Sequence, residues 1–153
     1  MIKFLMVLLL LVTTMYSIIV GRAHAQDAAI GDSIALGTGR ALGVPTYAEV
    51  GASSCWVLRH APRRAYRHIV VSAGINDAPG SCVRALFASI VAARVVVILP
   101  APINSARANV ARWAASHGYA TISYVCRGGC SKSNFHPASY AVVAAGVRRL
   151  WER

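Results

Sequence analysis

The chain has 153 residues, with 16 Lys and Arg against 5 Asp and Glu, a formal net charge of +11 and a mean hydropathy of +0.52. That length supports one domain with a substantial core and leaves no room for a second. The charge raises the local concentration of anionic partners, but no recognisable nucleic-acid module and no aromatic–basic stripe accompanies it, which argues against DNA or RNA.

Residues 1–25 read as a secretory leader. Lys3 supplies a positive start, Phe4 to Val12 is unbroken apolar sequence extended more weakly to Val20, and Ala23-His24-Ala25 fits a small-x-small cleavage pattern. The competing reading is an uncleaved membrane anchor, but the uncharged run Phe4 to Val20 is at the short end of what can span a bilayer and is diluted by Thr13, Thr14 and Ser17. The expectation is cleavage after Ala25. A secreted or periplasmic domain over residues 26–153 would follow, monomeric and with no stable membrane span.

Strand-like and helix-like segments then alternate. Strands are expected over Ala28–Ile30, Thr46–Val50, His68–Ala73, Arg94–Leu99 and Ala120–Val125, the fourth being a fully buried run of Val and Ile. Helices are expected over Ser81–Ala93, Asn104–His117 and His136–Trp151. In the last, Pro137 suits the first turn and Arg148, Arg149 and Arg153 suit the C-terminal end. Such alternation predicts an α/β fold, a five-stranded parallel sheet with helices on both faces. The loops leaving its strands gather on one edge, where open α/β sheets bind ligands. They carry Gly31-Asp32-Ser33, Gly51-Ala52-Ser53, Gly74-Ile75-Asn76-Asp77, Pro100-Ala101-Pro102 and the stretch up to His136.

Ser33 thus stands at the end of the first strand with a helix start behind it. A serine hydroxyl becomes nucleophilic when a base takes its proton, and histidine is the usual base. His24 lies in the leader. His60 sits among Arg59, Arg63 and Arg64, His68 opens a strand, and His117 is near a helix end before Gly118. His136 differs, since it stands in a loop just before the final helix. A tetrahedral intermediate also needs donors for its oxyanion. The backbone N–H of Ser33, that of Gly51 and the Asn76 amide are candidates, although Gly51 and Asn76 taken singly are ordinary turn residues.

Taken together, Gly31-Asp32-Ser33, Gly51, Gly74-Ile75-Asn76-Asp77 and His136-Pro137 resemble the four sequence blocks of the SGNH (GDSL-like) hydrolase superfamily. The resemblance covers nearly all of the chain after the leader. Ile98-Leu99-Pro100-Ala101-Pro102 and the Tyr140-bearing helix are also similar. The resemblance implies a flavodoxin-like three-layer α/β/α sandwich and hydrolysis of esters or acetyl groups. It implies Ser33 as nucleophile, His136 as base, and Ser33, Gly51 and Asn76 as the oxyanion hole. Asp32 and Asp77 are read as acceptors that hold their loops, with Gly74 at the turn before Asn76. The implied partner is an ester or acetylated substrate, possible forms of which include an anionic polysaccharide or another envelope polymer.

One departure matters. The family places an aspartate three residues before the histidine, and here that position is Ser133. No acidic residue occurs from Ala78 to Leu150, so the alternatives are the Ser133 hydroxyl, a backbone carbonyl, or Asp27 or Glu49 reaching across the edge. In serine proteases, loss of the triad aspartate costs about 10⁴-fold in rate, on the order of 5 kcal/mol. The runner-up reading is therefore a weak or inactive module that keeps the fold and binds anionic envelope polymers.

Cys55, Cys82, Cys126 and Cys130 all follow the leader, so two disulfides are expected. Of the three pairings, Cys55–Cys82 with Cys126–Cys130 is favoured because the second pair is so close in sequence. Zinc is the alternative, but no second Cys/His pair has zinc-finger spacing, and neither a metal nor another cofactor is expected. Pro100 to Ser105 and a cleft around Trp56 and Phe135 are the candidate substrate surface. It would be open and shallow, suited to small acyl groups.

Overall fold

The computed structural model describes residues 25–77, 81–131 and 134–153. All but the last residue of the expected leader lie outside that set. The strands are β1 (Ala28–Gly31), β2 (Thr46–Ala48), β3 (Ala65–Ser72), β4 (Val91–Ile98) and β5 (Ala120–Ile122). The helices among the described residues are α1 (Ser33–Leu42), α2 (Ser54–His60), α3 (Val83–Ser89), α4 (Arg107–Ser116) and α5 (Tyr140–Trp151). No helix among these residues is long and apolar enough to cross a membrane.

Every strand pair is parallel, and the order is β2-β1-β3-β4-β5. This is the flavodoxin-like order, whose switch point lies between β1 and β3. Register places the C-terminal ends together: Gly31 pairs with Ala48 and Ser72, Ser72 with Ile98, and Ile98 with Ile122.

The alternation of side chains across the sheet builds two cores. Ile69, Val71, Val95 and Val97 face Val57 of α2, Leu86 and Phe87 of α3 and Val110 of α4. Val70, Val96 and Ile98 face Ile34 of α1 and Val143, Val147 and Trp151 of α5. The result is three layers, with helices on both faces of a sheet whose central strands are buried.

Several boundaries differ from the sequence reading. β3 and β4 start three residues early, because Ala65 and Tyr66 pair with Val91 and Ala92 at the far end of the sheet. The third helix is correspondingly shorter, ending at Ser89. β5 stops at Ile122, where the chain leaves the sheet, rather than running to Val125. The last helix starts at Tyr140, with the Ser139 hydroxyl accepting the Val142 N–H as N-cap. Pro137 is therefore outside the helix and instead bridges to Cys126.

Both expected disulfides are present. Cys55–Cys82 ties the start of α2 to the residue before α3, and Cys126–Cys130 closes a short loop after β5, with Cα separations of 4.8 and 5.0 Å. In the chain-entropy model their worth follows loop length. Replacing Cys55 and Cys82 together by Ser is expected to lower unfolding free energy by about 3.5 kcal/mol, against about 2 kcal/mol for Cys126 and Cys130. Urea titrations of the two double variants check the order; an equal loss would show that strain or residual structure outweighs loop entropy.

Candidate active site

The turn from β1 into α1 is set by glycine. Gly31 has φ +141°, and a Cβ there would lie 1.8 Å from the Ser72 carbonyl oxygen on β3. The same carbonyl accepts the Asp32 N–H at 3.1 Å, so the two strands stay in contact to the last residue. Asp32 then caps α1. Its Oδ1 accepts from Ile34 N–H at 2.9 Å and from Ala35 N–H at 3.5 Å. This satisfies donors that a helix start leaves unpaired. Ser33 follows as the first helical residue, half-buried, and its Oγ lies 2.9 Å from His136 Nε2.

His136 arrives from 103 residues away, on the segment between β5 and α5. That segment is tied down on both sides of the imidazole. Tyr124 Oη donates to the Phe135 carbonyl at 2.6 Å, and Ala138 N–H donates to the Val125 carbonyl at 2.8 Å. Pro137 bridges to Cys126, which the disulfide links to Cys130. The Asn134 amide donates to the carbonyls of Gly129, at 3.0 Å, and Arg127. The Phe135 ring stacks on the imidazole with centroids 4.7 Å apart and planes 28° apart.

Gly51 and Asn76 lie on the neighbouring exits of β2 and β3. Gly51 has φ +77°, a conformation natural to glycine, and is exposed. The Asn76 amide donates to the Ala52 carbonyl at 3.2 Å, and Asp77 Oδ1 accepts the Ser54 N–H at 2.7 Å. Cys55–Cys82 adds a covalent link across the same junction. Gly74 takes φ +101° where a Cβ would press within 2.8 Å of Val110 on α4. The backbone N–H groups of Ser33 and Gly51 meet no protein acceptor among the described residues.

An open cavity of about 180 Å³ adjoins this edge. Ile75, Ala101, Ile103 and Phe135 supply its apolar lining, and Asn76, Asn104 and Ser131 its polar lining. Asn104 is itself fixed, donating to the Ile75 carbonyl at 3.3 Å and accepting the Ala106 N–H at 2.8 Å. Trp56, expected beside this cleft, instead packs against the α2–α4 core and stacks on His60. Ser133 lies outside the described residues. No group of three His, Cys, Asp or Glu side chains disposed for a metal occurs among those described.

The other described histidines are engaged elsewhere. His60 and His117 each reach a carbonyl one turn back, of Trp56 and of Trp113, and His68 pairs with Asp27 at 3.1 Å. Asp27 also holds Arg67 through two bonds of 2.9 and 2.8 Å. It precedes β1, at the opposite edge of the sheet from Ser33, so it does not reach His136. Sequence reasoning missed Tyr124 and Asn134, and reached Asn104 only as part of the Pro100 to Ser105 substrate surface. Only the Asn134 position, close to Gly128-Gly129, carried a turn signal.

No family model matches the chain, and neither curated proteins nor solved structures yield a match.

Burial pushes the Asp32 carboxyl up to about 6, against the Ser72 hydroxyl and the helix amides, which pull it down. The folded state thus favours the protonated form. Stability from this group is full below the unfolded value near 3.8 and is lost as pH rises through about 6. Asparagine caps as well as aspartate and stays neutral. Asp32→Asn is therefore expected to flatten the stability profile between pH 4 and 7. At pH 8 it should be more stable than the parent by up to about 3 kcal/mol. Denaturant midpoints measured across that range test this; superimposable profiles would refute it.

Proposed function

We propose that this chain is a serine hydrolase that cleaves carboxylic esters or acetyl groups, of the SGNH type that its sequence blocks resemble. The observation that carries the reading is the 2.9 Å contact between Ser33 Oγ and His136 Nε2, at the end of β1 beside the switch point of the sheet. A nucleophile and a base within hydrogen-bond reach, at a helix N-terminus, are what acyl transfer requires.

In the proposed reaction His136 Nε2 takes the Ser33 proton as Oγ bonds to the carbonyl carbon. The carbonyl electrons move onto oxygen, and the N–H groups of Ser33 and Gly51 and the Asn76 amide would donate hydrogen bonds to the resulting oxyanion. His136 then gives its proton to the departing alcohol as the carbon–oxygen bond breaks. Water then bonds to the acyl carbon as the same imidazole takes its proton, and the imidazolium returns that proton to Ser33 Oγ as the acyl–Oγ bond breaks, which releases the acid and restores the serine. The Asn76 bond to the Ala52 carbonyl keeps the amide beside the Gly51 loop, with its second N–H available. The neighbouring cavity of about 180 Å³ favours short acyl groups, alone or on a polymer. Two disulfides fit an oxidising compartment, in keeping with a secreted or periplasmic protein.

A second reading has its own observation. No ion pair to His136 occurs among the described residues, where both ion pairs belong to Asp27. A base without a carboxylate suits a weak or inactive module whose exposed arginines, Arg59, Arg63 and Arg64 among them, bind anionic envelope polymers.

Hydrolysis of p-nitrophenyl acetate by the oxidised protein separates the two. Ser33→Ala and His136→Ala are each expected to lower kcat/KM by about 10²-fold or more. Equal rates for all three proteins would remove the hydrolase reading. Salt-sensitive retention on an acidic polysaccharide, unchanged in Ser33→Ala, would then favour the second.

A further inference from the structure

A histidine that serves as base has two requirements. Nε2 must face the nucleophile unprotonated, so Nδ1 carries the hydrogen, and the ring plane must be held. A carboxylate on Nδ1 usually meets both. Here none of the described carboxylates forms an ion pair or hydrogen bond with His136. Asp27 binds Arg67 and His68, Asp32 caps α1, Asp77 holds the Ser54 N–H, and Glu152 follows the end of α5. Glu49 leaves β2 with its N–H on the Gly31 carbonyl and forms no ion pair among the described residues. Among the described residues, His136 has Ser33 as its hydrogen-bond partner and Phe135 as its stacking partner.

The backbone that carries the imidazole is already fixed by Tyr124, Val125, Cys126 and the Cys126–Cys130 link. Among the described residues, the hydrogen bond to Ser33 is the one polar contact that restrains rotation of the ring about its own side-chain bonds. The Phe135 ring lies against that ring at 4.7 Å and nearly parallel to it, so rotation would break the stack. An aromatic face also attracts the imidazolium that forms when Ser33 gives up its proton.

We propose that Phe135 is a positioning residue for His136, holding the imidazole plane by stacking where a carboxylate would otherwise hold it by a hydrogen bond. The proposal rests on the hydrolase reading for its catalytic meaning, but not for its geometry. Phe135 also borders the cavity, so a loss of activity alone would not separate positioning from substrate contact.

The test therefore begins in the free protein. Side-chain ¹³C relaxation of the His136 ring is measured in the parent, in Phe135→Leu, which keeps apolar bulk, and in Phe135→Tyr, which keeps the ring. The ring is expected to be rigid in the parent and in the tyrosine variant, and mobile in the leucine variant. Steady-state kinetics should show kcat lowered about tenfold in Phe135→Leu with KM little changed, and restored in Phe135→Tyr. A His136 ring as rigid in Phe135→Leu as in the parent would overturn the proposal. Mobility in both variants would overturn it too, because a disturbed loop rather than the missing face would be its cause. If the parent shows no hydrolysis beyond Ser33→Ala, the hydrolase reading fails while the relaxation result still decides the role of Phe135.

Discussion

The close approach of α1 and α5 is the constraint on which the site depends. Gly37, one turn into α1, lies under the Tyr140 ring at the start of α5; a Cβ on residue 37 would come within 2.4 Å of that ring. A hydrogen in place of a methyl group lets the two helices share one face of the sheet at their N-terminal ends. Ser33 opens one helix and His136 comes shortly before the other, so this contact closes a sequence gap of 103 residues to a hydrogen bond. The same economy of volume recurs beneath α1. A Cβ at Gly39 would meet the Ala29 side chain at 2.7 Å, which seats the helix low on β1. Small residues in Ala28-Ala29-Ile30 and in α1 are thus a packing requirement as much as a loop signature.

A second pair of elements is joined by polar groups instead. The loops after β2 and β3 exchange the Asn76–Ala52 and Asp77–Ser54 bonds, and Cys55–Cys82 closes the junction. Asn76 and Asp77 are adjacent, so one short turn serves two bonds to the neighbouring loop. Gly74 permits that turn to pass close over Val110. The edge is thereby held from two directions, by helix packing on the side of Ser33 and His136 and by cross-linked loops on the side of Gly51 and Asn76.

The layered architecture was legible because periodicity reports it directly. Val95 to Leu99 is apolar on both faces, and only a strand sandwiched between helix layers needs that. Boundaries were less legible where exposed residues extend a strand. Ala65 and Val91 are exposed, and they belong to strands because they face each other, a fact of pairing that neither segment shows alone. Pro137 was assigned to a helix because proline suits a first turn, but its pairing with Cys126 won, and Ser139 was the stronger cap. At the site, Ser33, Gly51, Asn76 and His136 were visible as a spaced set of residue types. Tyr124, Asn134 and the stack of Phe135 on His136 were not, since these contacts exist only once the β5–α5 segment has folded back on itself.

That segment bears on what the missing aspartate would cost in the proposed reaction. A triad carboxylate does two separable things: it fixes the imidazole, and it stabilises the positive charge formed on it. Fixing is a matter of geometry, and neutral contacts can supply it. Here Tyr124 grips the carbonyl just before His136, Val125 receives the N–H two residues after it, and a disulfide limits the intervening loop. Charge stabilisation is harder to replace, because an aromatic face attracts a cation far less than a buried carboxylate does. In the proposed reaction the arrangement would therefore keep the orientational part of a triad and give up much of the electrostatic part. In that reaction, a base held in this way would be best suited to leaving groups that demand little of the imidazolium, such as the stabilised phenolates of aryl esters, and least suited to amides.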